Sequence, residues 1–145
     1  MNRYEHLIIE IKRLNELLSE VTRPEDNEFV PEQYLFLLFM IYRTGKIKTT
    51  ELSHYYSITP GAATAIADKL EKMGLISRER DDTDRRIILI TLTQMGQEYV
   101  ETKISEHITL FANILHDYSP EDLDNTLQTL SRLSTAITTY AKKDS

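Results

Sequence analysis

Apolar residues recur at helical spacing at both ends of the chain. An amphipathic helix over residues 3–21 is predicted by the spacing of Leu7, Ile11, Leu14 and Leu18. Near the other end, the helix-start signal Ser119-Pro120-Glu121-Asp122 precedes a second stripe, which consists of Leu123, Leu127, Leu130, Leu133, Ile137 and Tyr140. Such stripes are typical of an ordinary protein core or of an interface between subunits.

A nearly continuous apolar run from Tyr34 to Tyr42 predicts a helix in the next part of the chain. We place this helix at residues 31–43, starting at Pro31 and ending near Gly45. Because the run covers almost the whole circumference of a helix, we expect it to be buried on most sides.

Two short helices follow in close succession, separated by a turn at Ser57-Ile58. Thr49 or Thr50 can cap the first of them. Thr59-Pro60 starts the second, since proline lacks the amide hydrogen that the first helical turn leaves unpaired. This second helix is expected to stop at Gly74, because glycine readily adopts the left-handed conformation that ends helices.

The hydrophobic period changes after this helix. Residues 75–80 and 87–92 predict two short strands, and the polar residues between them read as a hairpin turn. Thr93 can then cap a helix that we place at residues 94–117. The predicted fold is therefore mainly α-helical with a small β-wing, in a single domain over residues 1–145.

Two short helices joined by a tight turn and followed by a hairpin form a winged helix-turn-helix. In this arrangement the second helix can enter the major groove of duplex DNA while the hairpin, or wing, reaches an adjacent minor groove. We predict this lobe at about residues 31–93, and double-stranded DNA is its expected partner.

Two phrases within the lobe resemble the multiple-antibiotic-resistance regulator (MarR) family. The first is Leu70-Glu71-Lys72-Met73-Gly74-Leu75-Ile76-Ser77-Arg78, and the second is Asp84-Arg85-Arg86 followed by Leu92-Thr93. The resemblance covers the whole length and the helix order, and it implies a homodimeric, sequence-specific transcriptional regulator that acts as a ligand-responsive repressor. It also implies that residues 1–21 and 94–145 form the dimerisation region.

The resemblance further implies roles for individual residues of the lobe. The helix over residues 59–73 would lie in the major groove, Arg86 would reach the minor groove, and Asp84 would orient the wing tip by pairing with a basic neighbour. A narrow minor groove concentrates negative potential, which favours a guanidinium there.

Charge and placement add further candidates for DNA contact. Predicted phosphate contacts are Lys46, Lys48, Arg78, Arg80 and Arg85. The groove-facing side of the recognition helix is predicted to carry Thr59, Thr64 and Lys69, with backbone contact at Gly61.

Two features favour an alternative, a winged-helix module that binds protein and has weak or no affinity for DNA. The net charge is −6, although residues 35–86 carry nine Lys and Arg against seven Asp and Glu. Position 65 is alanine where many members of the family have arginine, so the helix lacks a long donor for guanine. We therefore expect DNA binding with modest direct reading of bases.

The predicted signal is a small, largely apolar or phenolic effector near Tyr34, Phe39 and Tyr42, since aromatic walls with a few polar tips suit such ligands. The absence of Cys excludes disulfides and thiolate metal sites. The four histidines lack the spacing of a metal site, so we expect neither a metal nor another cofactor. No catalytic motif is present, and an enzyme without a recognisable motif is the least favoured reading.

The expected compartment is the cytoplasm. The N-terminal residues 1–6 are polar and lack the apolar stretch of a signal peptide. The apolar run over residues 34–42 is about half as long as a membrane span, so no membrane partner is expected.

Overall fold

The computed structural model describes residues 2–23, 30–56 and 59–144, and the predicted turn at Ser57-Ile58 lies outside these ranges. In chain order the elements are α1 (Arg3–Val21), α2 (Glu32–Thr44), β1 (Ile47–Lys48), α3 (Thr49–Tyr56), α4 (Pro60–Lys72), β2 (Ile76–Arg80), β3 (Ile88–Leu92), α5 (Gln94–Ile114) and α6 (Pro120–Lys143). The chain divides within α5 into two compact units, Met1–His107 and Ile108–Ser145. The mainly helical fold with a small β-wing is confirmed.

Local sequence signals determine where α4 and α6 begin. The Thr59 hydroxyl accepts a hydrogen bond from the amide of Ala62 at 3.1 Å, and Pro60 is the first helical residue. At α6, the Ser119 hydroxyl accepts from the amide of Asp122 while the Asp122 carboxylate accepts from the amide of Ser119. Both helix starts are therefore fixed by the side chains that predicted them.

A two-residue strand that the sequence pattern does not reveal completes the sheet. Gly45, with a φ of 83°, ends α2, and Ile47–Lys48 then pairs with β3. All pairings are antiparallel in the order β1-β3-β2, and Ile47 lies opposite Ile90, both of them buried. Two residues are too few to display an alternating pattern, so the neighbouring strand determines this conformation.

The apolar core of the first unit is formed mainly by α2, the sheet and α4. Helix α2 contributes Tyr34, Leu35, Leu37, Leu38 and Ile41. Its expected burial on most sides is confirmed, although Phe36 is 55% exposed. Because α4 packs on the same core, its inner face is fixed and its outer face is left available for other contacts.

The backbone that follows α4 packs directly against the backbone at the start of α5. Gly74 follows α4 with a φ of 77°, a conformation that favours glycine. The Thr93 hydroxyl donates to the Gly74 carbonyl at 2.5 Å and accepts from the Gly96 amide at 3.0 Å. A methyl group at the buried Gly96 would lie 1.9 Å from the carbonyl oxygen of Leu75. This junction therefore requires the absence of a side chain at position 96.

Two helices carry broad exposed apolar faces. Helix α1 has no buried residue. Its apolar residues are 41–53% exposed at Leu7, Ile8, Ile11, Leu14 and Leu17. Helix α6 likewise has no buried residue, and its exposed apolar side chains include Leu127, Leu130, Ile137 and Tyr140. Contiguous apolar surface of this kind marks an interaction site, and the assignment of both helices to a dimer interface stays a prediction.

Helix α5 ends at Ile114, three residues earlier than predicted. The amide of Leu115 still donates to the Phe111 carbonyl at 2.9 Å, but the amide of Tyr118 donates to Leu115 in a tighter turn. Ser119 is extended because it caps α6 and precedes Pro120. A proline disfavours the helical conformation of the residue before it.

Replacing Gly96 by alanine should destabilise the first unit by about 3 kcal/mol, because the obstructing atom is a backbone oxygen that cannot rotate away. Gly61→Ala is the matched control, since nothing lies within 4 Å of the added methyl group. It should stabilise the chain by no more than about 1 kcal/mol, the gain from helix propensity. Urea unfolding measures both, and equal stabilities of the two variants would contradict the close approach.

Candidate nucleic-acid interface

Helix α4, the predicted recognition helix, presents small side chains on its outer surface. Its buried face is formed by Ala63, Ala67 and Leu70. At about 100° per residue, the opposite face is formed by Gly61, Ala65 and Lys72, all exposed. The backbone can therefore approach a groove closely. Lys72 was not among the residues predicted from the sequence to contact DNA, although its helical spacing from Gly61 and Ala65 places it on this face.

The hydroxyl groups of the two predicted contact threonines are engaged within the helix. Thr59 accepts the capping bond described above, and the Thr64 hydroxyl donates to the Pro60 carbonyl at 2.9 Å. The methyl group of Thr64 remains available on the exposed surface, and methyl contact with thymine is one mode of base reading. The contacts of both residues with DNA stay predictions.

Lys69 lies on a different flank of α4 from Thr64. The two residues are five positions apart, which separates them by about 140° around the helix. The Lys69 ammonium lies 5.8 Å from the centre of the Tyr34 ring on α2, within the range of a cation–π contact. Helical geometry therefore places Thr64 and Lys69 on opposite edges of the exposed surface of α4, and their predicted contacts with DNA stay predictions.

The wing tip holds Arg86 in a defined local geometry. The Asp84 carboxylate accepts from Nε and Nη2 of Arg86, both at 3.0 Å, and from the backbone amide of Arg86 at 3.1 Å. These bonds lower the pKa of Asp84 and raise that of Arg86. The Arg86 side chain is still 90% exposed, so a phosphate can reach it. The predicted pairing of Asp84 with a basic neighbour is confirmed.

A second arginine braces the same turn. Nη1 of Arg80 donates to the backbone carbonyl of Arg85 at 2.8 Å. On the other side of the hairpin, the Asp81 carboxylate accepts from the amide and the hydroxyl of Thr83. Arg80 thus stabilises the tip that carries Arg85 and Arg86, and the phosphate contacts predicted for Arg80 and Arg85 stay predictions.

Arg78 has a different environment from the other predicted phosphate contacts. Its guanidinium binds Asp68 and Glu71, two carboxylates of α4, and its side chain is 25% exposed. Arg78 therefore links β2 to the recognition helix, a pairing that the sequence did not reveal. Its predicted contact with phosphate stays a prediction, and the geometry favours another role.

Lys46 precedes the short strand β1 and Lys48 is its second residue, and both are exposed. The charge of Lys48 helps to lower the pKa of Asp84, which places this lysine near the base of the wing tip. The amide of Lys48 donates to the Glu51 carboxylate at 3.2 Å. Because β1 forms the edge of the sheet beside β3, Lys48 adds an exposed positive charge beside the wing.

The three aromatic residues of the predicted effector site face different neighbours. Tyr34 is 7% exposed and contacts Lys69, whereas the Phe39 ring packs edge-on against His107 of α5 with 5.8 Å between centres. Tyr42 is 39% exposed. A site shared by all three stays a prediction.

Two further observations concern the residues that the structure describes. Among them, no three His, Cys, Asp or Glu side chains are grouped so that they could hold a metal ion. None of the helices within residues 2–23, 30–56 and 59–144 combines the length and the apolar character needed to span a membrane.

Comparison with known proteins gives consistent similarities. Residues 31–88 match the model of the MarR family. The chain is 30% identical to the uncharacterized HTH-type transcriptional regulator YhbI of Bacillus subtilis, covering 90% of this chain and 80% of that protein. It is 26% identical to the HTH-type transcriptional repressor MdtR of Bacillus subtilis, covering 99% and 96%. Streptococcus pneumoniae FabT, solved in complex with DNA, shares the fold with a TM-score of 0.71 at 20% identity, covering 95% and 97%.

Arg86→Ala should weaken binding to every duplex by a similar factor. Loss of one phosphate-like contact should also flatten the dependence of log affinity on log salt concentration by about one unit. Asp84→Ala should have a milder effect of the same kind, because Asp84 orients the arginine. Thr64→Ala should instead act on a selected site, at a cost of about 1–3 kcal/mol, with little effect on random DNA.

Arg13→Ala is the matched control for this series, since it removes the same charge from an exposed position on α1. Binding of all four variants to a selected and a scrambled duplex is measured across a salt series. If Arg86→Ala leaves both affinities and the slope unchanged, the wing does not touch DNA.

Proposed function

The chain belongs to the MarR family of transcriptional regulators, and on this premise we propose that it represses transcription by binding duplex DNA as a homodimer. The observation that carries the proposal is the combination of α4 and the wing within one unit. Helix α4 offers a major groove an exposed face with the small residues Gly61 and Ala65 and with Lys72 at its end. The wing offers an exposed, preorganised guanidinium on Arg86 for a minor groove.

The comparisons support the same proposal from another direction. MdtR, which is similar to almost the whole chain, is named a transcriptional repressor. FabT shares the fold and was solved in complex with DNA. We therefore assign this chain to sequence-specific repression and not merely to non-specific DNA binding.

The distribution of charge supports a DNA contact through the lobe at about residues 31–93. Residues 35–86 carry a net charge of +2, whereas the rest of the chain carries −8. The exposed cations Lys46, Lys48 and Arg86 belong to the positive part. Such an asymmetric distribution orients an acidic protein so that its basic side approaches the phosphates.

A second copy of this chain is the proposed partner for the apolar faces of α1 and α6. These faces belong to residues 1–21 and 94–145, the proposed dimerisation region. Burying them against a copy would remove side chains such as Leu127, which is 64% exposed, from water. To bind DNA, such a two-fold dimer must hold its two α4 helices about 34–36 Å apart, one helical turn of DNA.

Regulation is proposed to act on that separation. A small, largely apolar or phenolic molecule near Tyr34, Phe39 and Tyr42 would favour a state in which the two recognition helices no longer match the DNA. We place the regulator in the cytoplasm, with the DNA that it controls. The function consists of binding, with no catalytic step and no cofactor.

Binding of the full chain to random duplex DNA across a salt series tests this function. We expect measurable affinity at low salt that falls steeply as salt rises, because each neutralised phosphate contributes about −0.9 to the slope of the log–log plot. Selection from random sequences should then enrich a site that binds at least about a thousandfold more tightly than random DNA.

The outcome separates the two candidate classes. A winged-helix module that binds only protein would show no measurable affinity for duplex DNA even at low salt. Binding without enrichment of any sequence would contradict the proposed specificity and leave a non-specific DNA-binding protein.

A further inference from the structure

Arg78 lies on the face of the hairpin that packs against the recognition helix. It is opposite Ile90 in the β2–β3 pairing, and directly opposed residues of antiparallel strands project to the same face. Ile90 is fully buried, so this face is turned toward the core and α4. An arginine thus occupies a position where the pleat would otherwise present an apolar side chain.

The guanidinium of Arg78 forms three short contacts with α4. Its Nε donates to Oε2 of Glu71 at 3.2 Å, and its Nη2 donates to Oε1 of Glu71 at 2.9 Å and to Oδ1 of Asp68 at 2.6 Å. Pairing with Arg78 lowers the pKa of Glu71, and the two carboxylates raise the pKa of Arg78. One cation therefore faces two acidic groups.

The two carboxylates share a flank of α4 with Thr64, a predicted DNA contact. Asp68 and Glu71 follow Thr64 at four and seven positions, which places all three on one flank of α4. Asp68 and Glu71 are 48% and 42% exposed. Without a partner they would present two negative charges next to the phosphates that the same helix is proposed to approach.

We propose that Arg78 is a positioning residue that masks the charges of Asp68 and Glu71 from DNA and holds the wing strand against the recognition helix. The inference rests on the proposed function. It assigns Arg78 a role within the protein and not the phosphate contact expected from its charge alone. Two of its three guanidinium nitrogens are already bonded to carboxylates, so a phosphate contact would compete with both ion pairs.

The identity of the residue matters for this role. Arginine presents its donors in a planar fork that can bind one carboxylate through two nitrogens and still reach a second. Lysine would retain the charge as a single point and lose the two-pronged contact with Glu71. The masking therefore depends partly on charge and partly on geometry.

Removal and restoration of charge balance test the proposal. Arg78→Gln leaves both carboxylates unmasked and should weaken binding to selected and random duplexes by about tenfold, the order expected for like charges a few ångströms apart in water. Adding Asp68→Asn and Glu71→Gln to that variant removes the exposed charges, and it should recover most of the lost affinity. Arg13→Gln, with the same loss of one positive charge on α1, should change affinity little.

The possible outcomes distinguish masking of the two carboxylates from a direct contact of Arg78 with phosphate. A triple variant that binds as weakly as Arg78→Gln, with a salt slope flatter by about one unit, would identify Arg78 as a phosphate contact and overturn the inference. So would an Arg78→Gln variant that binds as tightly as the wild type. If the wild-type chain binds neither duplex at low salt, the proposed function itself fails, and this inference fails with it.

Arg78→Lys provides a second test of the masking if the Arg78→Gln variant does not fold. Because it keeps the positive charge, we expect it to lose no more than roughly threefold in affinity. A tenfold loss in a folded lysine variant, judged by circular dichroism and thermal unfolding, would contradict masking by charge.

Discussion

Helix α5 begins in direct contact with the backbone of the turn that ends α4, and this contact fixes the recognition helix within its unit. Gly96 can approach the Leu75 carbonyl only because it lacks a side chain. Thr93 bridges the two helices by bonding Gly74 and Gly96 through one hydroxyl. The hairpin leaves the same turn, so the positions of α4 and the wing depend on a junction of about four residues. A DNA-binding surface made of two separate elements requires such a rigid connection.

Local ion pairs arrange the charged side chains around α4 and the wing of this acidic chain. Arg78 faces the two carboxylates of α4, and Asp84 orients Arg86 without burying it. Each ion pair joins groups that are exposed or partly exposed, so its main effect is on geometry and local potential rather than on stability. The net charge of −6 is therefore a poor guide to the interface, because the sign of the field near α4 and the wing depends on which charges are paired.

Much of the fold follows from short-range signals. Caps such as Thr59 and Ser119 and the left-handed Gly74 act on neighbouring residues, so the sequence predicts their helix ends. Strand β1 could not be predicted, because two residues take their conformation from β3. The contact of Arg78 with α4 could not be predicted from the sequence either, since it depends on strand register and on which face of the helix meets the sheet. Charge alone suggested a phosphate contact for that residue.

The proposed function requires two copies of this chain to present two α4 helices to one DNA site. Hydroxyl-radical footprinting of the wild-type chain on a selected duplex tests it most directly. We expect two protected half-sites related by two-fold symmetry, with centres about 10–10.5 base pairs apart, and minor-groove protection where the wings reach. Protection of a single half-site, or of none at a concentration that saturates binding, would contradict it.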